Sequence, residues 1–423
     1  MDFDNFFNVV NGEKRASKST YHGVCASNGK TLWEVPIATP DDVGNAVSAA
    51  ATVFPCWAAK SYTERNEFLT KFKIPEERIE DDEKVVFVKN EPFGVVAAIC
   101  PWNFPLFFGI GKLAPAVATG NCVILKPSPY TPYSALKLVE LAQQVFPPGV
   151  VQVLGGDGNL GPALVRHPDI QKISFTGSTA TGKEVMRGCV DTMKRFTLEM
   201  AGNNAGIIMP DVDVPVVAEQ VAEGLWFNAG QVCANNRRLY IHESIYDGFV
   251  EDLAAKTKEM DGQVADRIGA IQNTMQLEKL KEAISECQKA GHKLLGNDSS
   301  TKSPQGSFFH PVIIDNPPED SSIVTDEHFG PIVPCLKFCS VDDAIAKVNS
   351  TTTGLAANLW TKNVTAAEGI ISKLDVGNVY VNGPPKPDPA VPFGGHKQSG
   401  MGVEFGLDGL LAYCQKKSVY LYK

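Results

Sequence analysis

Short apolar runs alternate along the chain with longer stretches in which apolar residues recur every three or four positions, the pattern of strands alternating with helices. The runs at residues 95–100, 121–125, 150–154 and 172–175 are nearly continuous in apolar residues, as strands buried on both faces should be. Each ends in a turn signal: Pro101, Lys126-Pro127, Gly155-Gly156 and Thr176-Gly177-Ser178. Helical spacing covers 111–119, 132–146, 159–167 and 179–190. Upstream, residues 30–72 read as a short strand followed by a helix. Asp41 and Asp42 stand near the helix start, and Val43, Ala46, Val47 and Ala50 form one face. This order predicts an α/β fold built on a doubly wound parallel sheet with right-handed crossovers. Such sheets bind ligands at the C-terminal ends of their strands. That places Trp102, Lys126, Gly155 and Ser178 on one binding edge.

A second α/β region is expected from 202 to 415, with helices at 215–229, 244–259 and 275–290 and strands at 237–242, 333–338 and 377–381. Two segments break the pattern. Residues 84–89 and 417–422 are short, β-branched and aromatic, and exposed strands of that kind need a partner edge. The expected division is therefore 1–81 with 93–201 as one α/β domain and 202–415 as a second. Residues 82–92 and 416–423 are left as a small β element for oligomerisation.

Composition narrows the function classes. A chain of 423 residues can bury more than one core. The net charge is −9 and the lysines and arginines are scattered, so the basic stripe of a nucleic-acid partner is missing. An acidic surface also argues against docking on anionic membranes, and no stretch approaches the roughly 18 apolar residues of a membrane span. The start, Met1-Asp2-Phe3-Asp4, lacks the basic and apolar regions of a secretory leader. The ten cysteines form no CxxC pair, which removes the main support for a zinc or redox-pair site. Reduced thiols and a cytoplasmic location are expected.

Four local features could carry chemistry. Phe227-Asn228-Ala229-Gly230-Gln231-Val232-Cys233 sets a thiol after a Gly-containing turn, although a cysteine alone is more often a small core residue. Thr197-Leu198-Glu199 ends an apolar run in a carboxyl, whose pKa should rise in such surroundings until it can act as a base near neutral pH. Pro101-Trp102-Asn103-Phe104-Pro105 fixes an amide between two prolines, where its N–H₂ could donate to an oxyanion. Phe175-Thr176-Gly177-Ser178-Thr179-Ala180-Thr181-Gly182 joins a strand to a helix with the glycine and hydroxyl content of a phosphate-binding turn. It is neither G-x-G-x-x-G nor a P-loop.

Taken in this order, the four features resemble the aldehyde dehydrogenase superfamily. The resemblance extends to Asn121-Cys122-Val123-Ile124-Leu125-Lys126-Pro127-Ser128, Glu327-His328-Phe329-Gly330-Pro331 and Pro392-Phe393-Gly394-Gly395-His396-Lys397-Gln398-Ser399-Gly400. It implies that Cys233 attacks an aldehyde to form a thiohemiacetal, with Asn103 and the Cys233 N–H holding the oxyanion. Hydride would pass to NAD or NADP, leaving a thioester that Glu199 hydrolyses by activating water. Trp102, Lys126, Gly177, Ser178, Glu327 and Phe329 would bind the cofactor. The resemblance further implies a small-molecule aldehyde substrate, hydrophobic or uncharged, and a homo-oligomer, either dimer or tetramer.

The sequence departs from the family in ways that bear on function. Several dozen residues that members carry after Phe72 are missing, including helices that pack on the cofactor domain and line part of the substrate tunnel. Met200-Ala201-Gly202 replaces Leu-Gly-Gly after the acid, and the Cβ of Ala201 is expected to restrain Glu199. Pro129 stands where many NAD-preferring members have a Glu, which opens the site to NADP. The loop before Asp266-Arg267-Ile268-Gly269 is shortened. Gly109 and Gly111 after Phe107-Phe108 suggest a roomy entrance. With Glu199 restrained, the same thiol could instead serve acyl transfer, isomerisation or reduction. Loss of the block could also leave a binding or structural relative without turnover.

Overall fold

The short apolar runs become neighbouring strands because each can bury both faces only inside a sheet covered by helices. The computed structural model describes residues 3–66, 74–296 and 306–423. Its first sheet has eight strands in the order Glu13–Arg15, Asn8–Val10, Val151–Val153, Cys122–Lys126, Val95–Ile99, Lys172–Thr176, Arg195–Glu199 and Gly400–Met401. The five strands between Val151–Val153 and Arg195–Glu199 run parallel. From Val95–Ile99 the chain winds one way through Cys122–Lys126 and then resumes on the other side at Lys172–Thr176. The winding therefore reverses between Val95–Ile99 and Lys172–Thr176, the place where doubly wound sheets open a ligand crevice.

The helix Pro40–Ala58 starts from a capping box in which Thr39 and Asp42 satisfy each other's backbone N–H groups. It buries Val43, Ala46, Val47, Ala50 and Trp57 against this sheet. The helix expected at 111–119 begins six residues earlier, at Pro105. A proline at a helix start loses no hydrogen bond because that N–H has no partner there. The break after Phe72 falls outside the described residues.

The second sheet has seven strands in the order Lys293–Gly296, Val312–Asp315, Ile332–Phe338, Asn236–His242, Asn204–Ile208, Ala356–Trp360 and Asn378–Val381. Its own apolar core packs helices Val214–Trp226, Tyr246–Asp261 and Thr274–Lys289 around those strands. The strand Gly400–Met401 leaves this half and pairs antiparallel with Leu198 and Glu199 of the first sheet.

The two odd segments, each expected to need a partner edge, find one another within the chain. Cys414–Tyr422 pairs antiparallel with Lys84–Pro92 along their whole length, and Glu77–Glu80 completes a three-stranded sheet. Among the described residues no helix is long and apolar enough to cross a membrane.

Candidate active site

A cavity of about 700 Å³ opens where the first sheet reverses its winding, a volume suited to a cofactor or small ligand. Its walls include Trp102, Asn103, Gly177, Ser178, Glu199, Cys233, Glu327 and Phe329. Of the nine residues named in the sequence as catalytic or cofactor-binding, eight are on this wall and Lys126 is not, nor is Gly155 of the expected binding edge. Lys126 is buried at the end of its strand, and its ammonium donates to Pro127 O at 3.2 Å. Burial lowers its pKa, with Cys100 and Asp157 opposing.

The Cys233 loop is shaped by three consecutive residues with left-handed backbone, Asn228, Ala229 and Gly230 (φ 51°, 52° and 69°). Asn tolerates that region, whereas Ala229 gives up roughly 1–2 kcal/mol there. Gly230 is obligatory, because a Cβ would collide with Gly330 O. Arg237, buried on the strand Asn236–His242, holds the turn by donating to Gly230 O at 2.7 Å and Val232 O at 2.8 Å. Asn204 Nδ2 donates to Cys233 O at 2.6 Å. The Cys233 N–H has no acceptor among the described residues, which leaves it free to meet a ligand oxygen. Asn103 Nδ2 donates to Gln231 O at 3.1 Å, so the amide lies beside the same turn with a second N–H to offer.

Glu199 is 2% exposed at the end of its strand. Neither carboxyl oxygen has a well-formed hydrogen bond, although the Cys233 thiol lies close enough to couple to it. Burial first, and the Glu404 carboxylate second, push Glu199 up to about 8. Burial and Glu199 together push the Cys233 thiol well above its ordinary value. In the protein alone the pair is therefore largely neutral at pH 7. An entering positive charge or an oxyanion donor would favour ionisation of the thiol. Glu404 is itself buried in an ion pair with Lys112, next to Ser174.

Ala201 does not adopt the left-handed backbone that would favour glycine. Its carbonyl accepts from Ser399 Oγ at 2.7 Å, and Met200 N donates to Ser399 O at 2.8 Å. The Ser399 segment thus pins the backbone that follows Glu199.

On the other wall, Trp102 meets Phe329 edge to face at 5.4 Å, and the Arg237 guanidinium sits 5.1 Å from the Phe329 ring centre. Glu327 accepts from Gly202 N at 3.4 Å and faces Arg237 Nε at 3.8 Å. Burial raises Glu327 to about 7, with Arg237 holding it lower than burial alone would. Gln276 Nε2 donates to His328 O at 2.6 Å and fixes this loop. Ser178 caps the helix Thr179–Cys189, its hydroxyl accepting from Thr181 N at 3.3 Å. Gly177 is required because a Cβ would meet the Phe175 ring. Beside it, Thr176 Oγ1 is buried on the cavity wall with no partner.

Sequence reasoning missed Arg237 and the face of helix Thr274–Lys289, which adds Met275, Gln276 and Lys279 to the wall. The two adjacent arginines that open the strand Asn236–His242 just after the Cys233 turn were the available signal for Arg237, since a cation in a buried strand needs partners.

A family model described as the aldehyde dehydrogenase family matches residues 72–419. The chain is 51% identical to the putative aldehyde dehydrogenase FUS7 of Gibberella fujikuroi, with 100% of both chains covered. That alignment spans 466 positions against 423 residues here, so at least 43 positions have no counterpart in this chain. The structure is similar to the NAD+ complex of an aldehyde dehydrogenase from Bacillus cereus, with a TM-score of 0.93 and 30% identity, covering 99% of this chain and 96% of that one. It is also similar to an E. coli NADP-dependent enzyme, with a TM-score of 0.92 and 28% identity, covering 100% and 99%.

Proposed function

The chain belongs to the aldehyde dehydrogenase family, and from that premise we propose that it oxidises an aldehyde to a carboxylic acid through covalent catalysis at Cys233. The single observation that carries the mechanism is the meeting of three groups on one wall: a thiol, a carboxyl coupled to it, and an amide N–H₂ beside the same turn.

Cys233 Sγ attacks the carbonyl carbon. As the C–S bond forms, the thiol proton moves to the ionised fraction of Glu199, which passes it to solvent before the next step, and the carbonyl π pair becomes an oxyanion. The free Cys233 N–H and the Asn103 amide receive that oxyanion, a stabilisation typically worth 10²–10³ in rate per donor. When bound, NAD+ or NADP+ supplies the two-electron acceptor for the hydride of the tetrahedral carbon. Glu199 then takes a proton from the water that attacks the Cys233 thioester. The C–S bond breaks, and the thiol and the acid are released.

The cavity suits a dinucleotide. The capped N-terminus of helix Thr179–Cys189 offers unpaired N–H groups to phosphate, and the orphaned Thr176 hydroxyl lies beside it. Ser178 and Gly177 would hold pyrophosphate, and Glu327 with Phe329 and Trp102 would hold the nicotinamide end. Lys126 would hold the adenosine ribose once its ammonium turns away from Pro127 O. Either NAD or NADP can be accommodated, since Pro129 puts no carboxylate against a 2′-phosphate.

We assign the first sheet, 1–81 with 93–201, to cofactor binding and 202–415 to the catalytic part. The outer edge of Cys414–Tyr422, with Tyr420, Leu421 and Tyr422 exposed, would join copies into a dimer or tetramer, and light scattering on a Lys-substituted edge tests this. All ten cysteines are free thiols, a form that a reducing cytoplasm would preserve. The decisive experiment follows NADH and NADPH formation over a panel of aldehydes beside Cys233→Ala. Turnover that vanishes in the variant supports the mechanism, and turnover that persists in it removes Cys233 from its role.

A further inference from the structure

Neighbouring residues of a strand point to opposite faces, so Arg237 and Arg238 leave the strand Asn236–His242 in opposite directions. Arg238 holds backbone on its own face, donating to Asn203 O at 3.0 Å and Lys347 O at 3.1 Å. Arg237 is 3% exposed and reaches two segments that the reaction would use together. Its Nη groups hold the Cys233 turn at Gly230 O and Val232 O. The same guanidinium lies 5.1 Å from the Phe329 ring centre, and Nη1 also meets Gly330 O at 3.4 Å. Its Nε is buried without a hydrogen-bond acceptor and faces the Glu327 carboxylate at 3.8 Å. A buried donor left short of its acceptor is a penalty that a purely structural clamp has no reason to carry.

The loop on the far side is held under strain. Phe329 has left-handed backbone, φ 52°, which a residue with a side chain keeps only when its surroundings fix it. Gln276 Nε2 grips this loop from the helix Thr274–Lys289, donating to His328 O and, at 3.2 Å, to Phe329 O. Arg237 grips it from the opposite side.

Charge follows the same path. Glu199, Glu327, Arg237 and Tyr380 face the thiol, from the strand Arg195–Glu199, the Glu327 loop, the strand Asn236–His242 and the strand Asn378–Val381. Of these four, Arg237 alone is a cation. Burial and then Glu199 push the thiol up, Glu327 adds to the push, and Arg237 opposes it. The guanidinium also opposes the burial that raises Glu327 to about 7. One cation thus favours two anions: the thiolate that attacks and the carboxylate that would accept from a ribose.

We propose that Arg237 is a positioning residue that joins the two halves of the reaction: one guanidinium sets both the turn that presents Cys233 and the loop that presents Glu327 to the cofactor, so that a change at either is felt at the other. The proposal rests on the aldehyde dehydrogenase reading, which puts a dinucleotide ribose at Glu327.

Two readouts test it without turnover. Alkylation of Cys233 by iodoacetamide, followed on its own peptide by mass spectrometry, gives the pH profile of the thiolate with no cofactor present. Calorimetry with ADP-ribose at pH 8 gives the grip on the ribose with no nicotinamide ring. Glu327→Gln removes a carboxylate and leaves Arg237 in place. Its alkylation profile should move down by about one pH unit while ADP-ribose binds about tenfold more weakly. Arg237→Gln should move the profile up by about as much and weaken ADP-ribose as well. Arg237→Lys keeps the charge and should recover most of the profile. The double variant should bind ADP-ribose no worse than Glu327→Gln alone, because the arginine acts on the ribose through the carboxylate. A profile that ignores Glu327→Gln overturns the proposal, even where Arg237→Gln fails to fold. Additive losses in the double variant do the same, as does an Arg237→Gln that is merely less stable with both readouts unchanged. A wild type that binds none of ADP-ribose, NAD+ and NADP+ would overturn the dehydrogenase reading and this proposal with it. Binding intact with no response at the thiol overturns the link alone.

Discussion

Replacing Glu199 by Gln should make the protein slower and, at the same time, more stable, with the second effect growing as pH rises. The carboxyl is 2% exposed and held near 8 against an ordinary 4.5, chiefly by burial and next by Glu404. A carboxyl whose pKa is raised on folding works against the folded state above its unfolded value, because the unfolded chain releases a proton that the folded chain keeps. Each pH unit in that interval removes about 1.4 kcal/mol of stability. From 4.5 to pH 7 the loss reaches about 3 kcal/mol, and it levels off once pH passes about 8. Gln matches the shape of the neutral carboxyl and does not titrate. The variant should therefore equal the wild type below about pH 4 and exceed it increasingly to pH 8. Denaturant midpoints across that range read the difference. Turnover should fall about 10²–10⁴-fold, with acyl-enzyme accumulating on Cys233. A stability difference that does not change with pH, or a variant less stable at pH 8, would refute the argument that Glu199 is buried neutral.

The same carboxyl sets the pH dependence of the wild type: kcat should climb about tenfold from pH 6 to 7 and flatten above 8 as the base ionises, which a pH–rate profile checks. Arg237→Met removes a buried cation from two turn carbonyls and from Glu327, so chemical unfolding should show a loss of about 3–5 kcal/mol. Labelling of Cys233 by a thiol reagent should change with it. Gly230→Ala must place a Cβ against Gly330 O at φ 69°, and should abolish turnover or soluble expression where Ala229→Gly does neither.

The strands that were legible were those whose residues announce them. Val95–Ile99 and Cys122–Leu125 are unbroken apolar runs, and the residues that follow them marked the binding edge in the sequence alone. Asn204–Ile208 was not legible, because Asn204, Ala205 and Gly206 have little strand preference of their own. Gly206 is there because a side chain would strike Leu239 and Asn236 of the next strand, a demand made by tertiary packing. Ala356–Trp360 hides a buried Asn358 that donates to Gly383 O at 2.6 Å. In the site, Cys233, Glu199 and Asn103 were named because their motifs in this order resemble the family, whereas each motif alone reads more readily as structure. Gln276 and Lys279 were not, because an amphipathic helix does not say which neighbour its polar face will meet. The position of Lys126 off the cavity wall depends on how its side chain folds back to Pro127 O, which no pattern encodes.

The return strand Gly400–Met401 also bears on biosynthesis. It closes the sheet beside Leu198 and Glu199, and Ser399 bonds to Ala201 across a separation of 198 positions. A ribosome extends a chain from its N-terminus, and early segments can fold before late ones exist. The winding of the first sheet could form while the chain is still growing, yet Glu199, the proposed base, gains its outer wall only when the last stretch emerges. A nascent chain would thus carry Cys233 without a finished hydrolytic partner. Cutting the gene into two independently useful halves would fail for the same reason, since the half that holds Glu199 depends on the tail of the other.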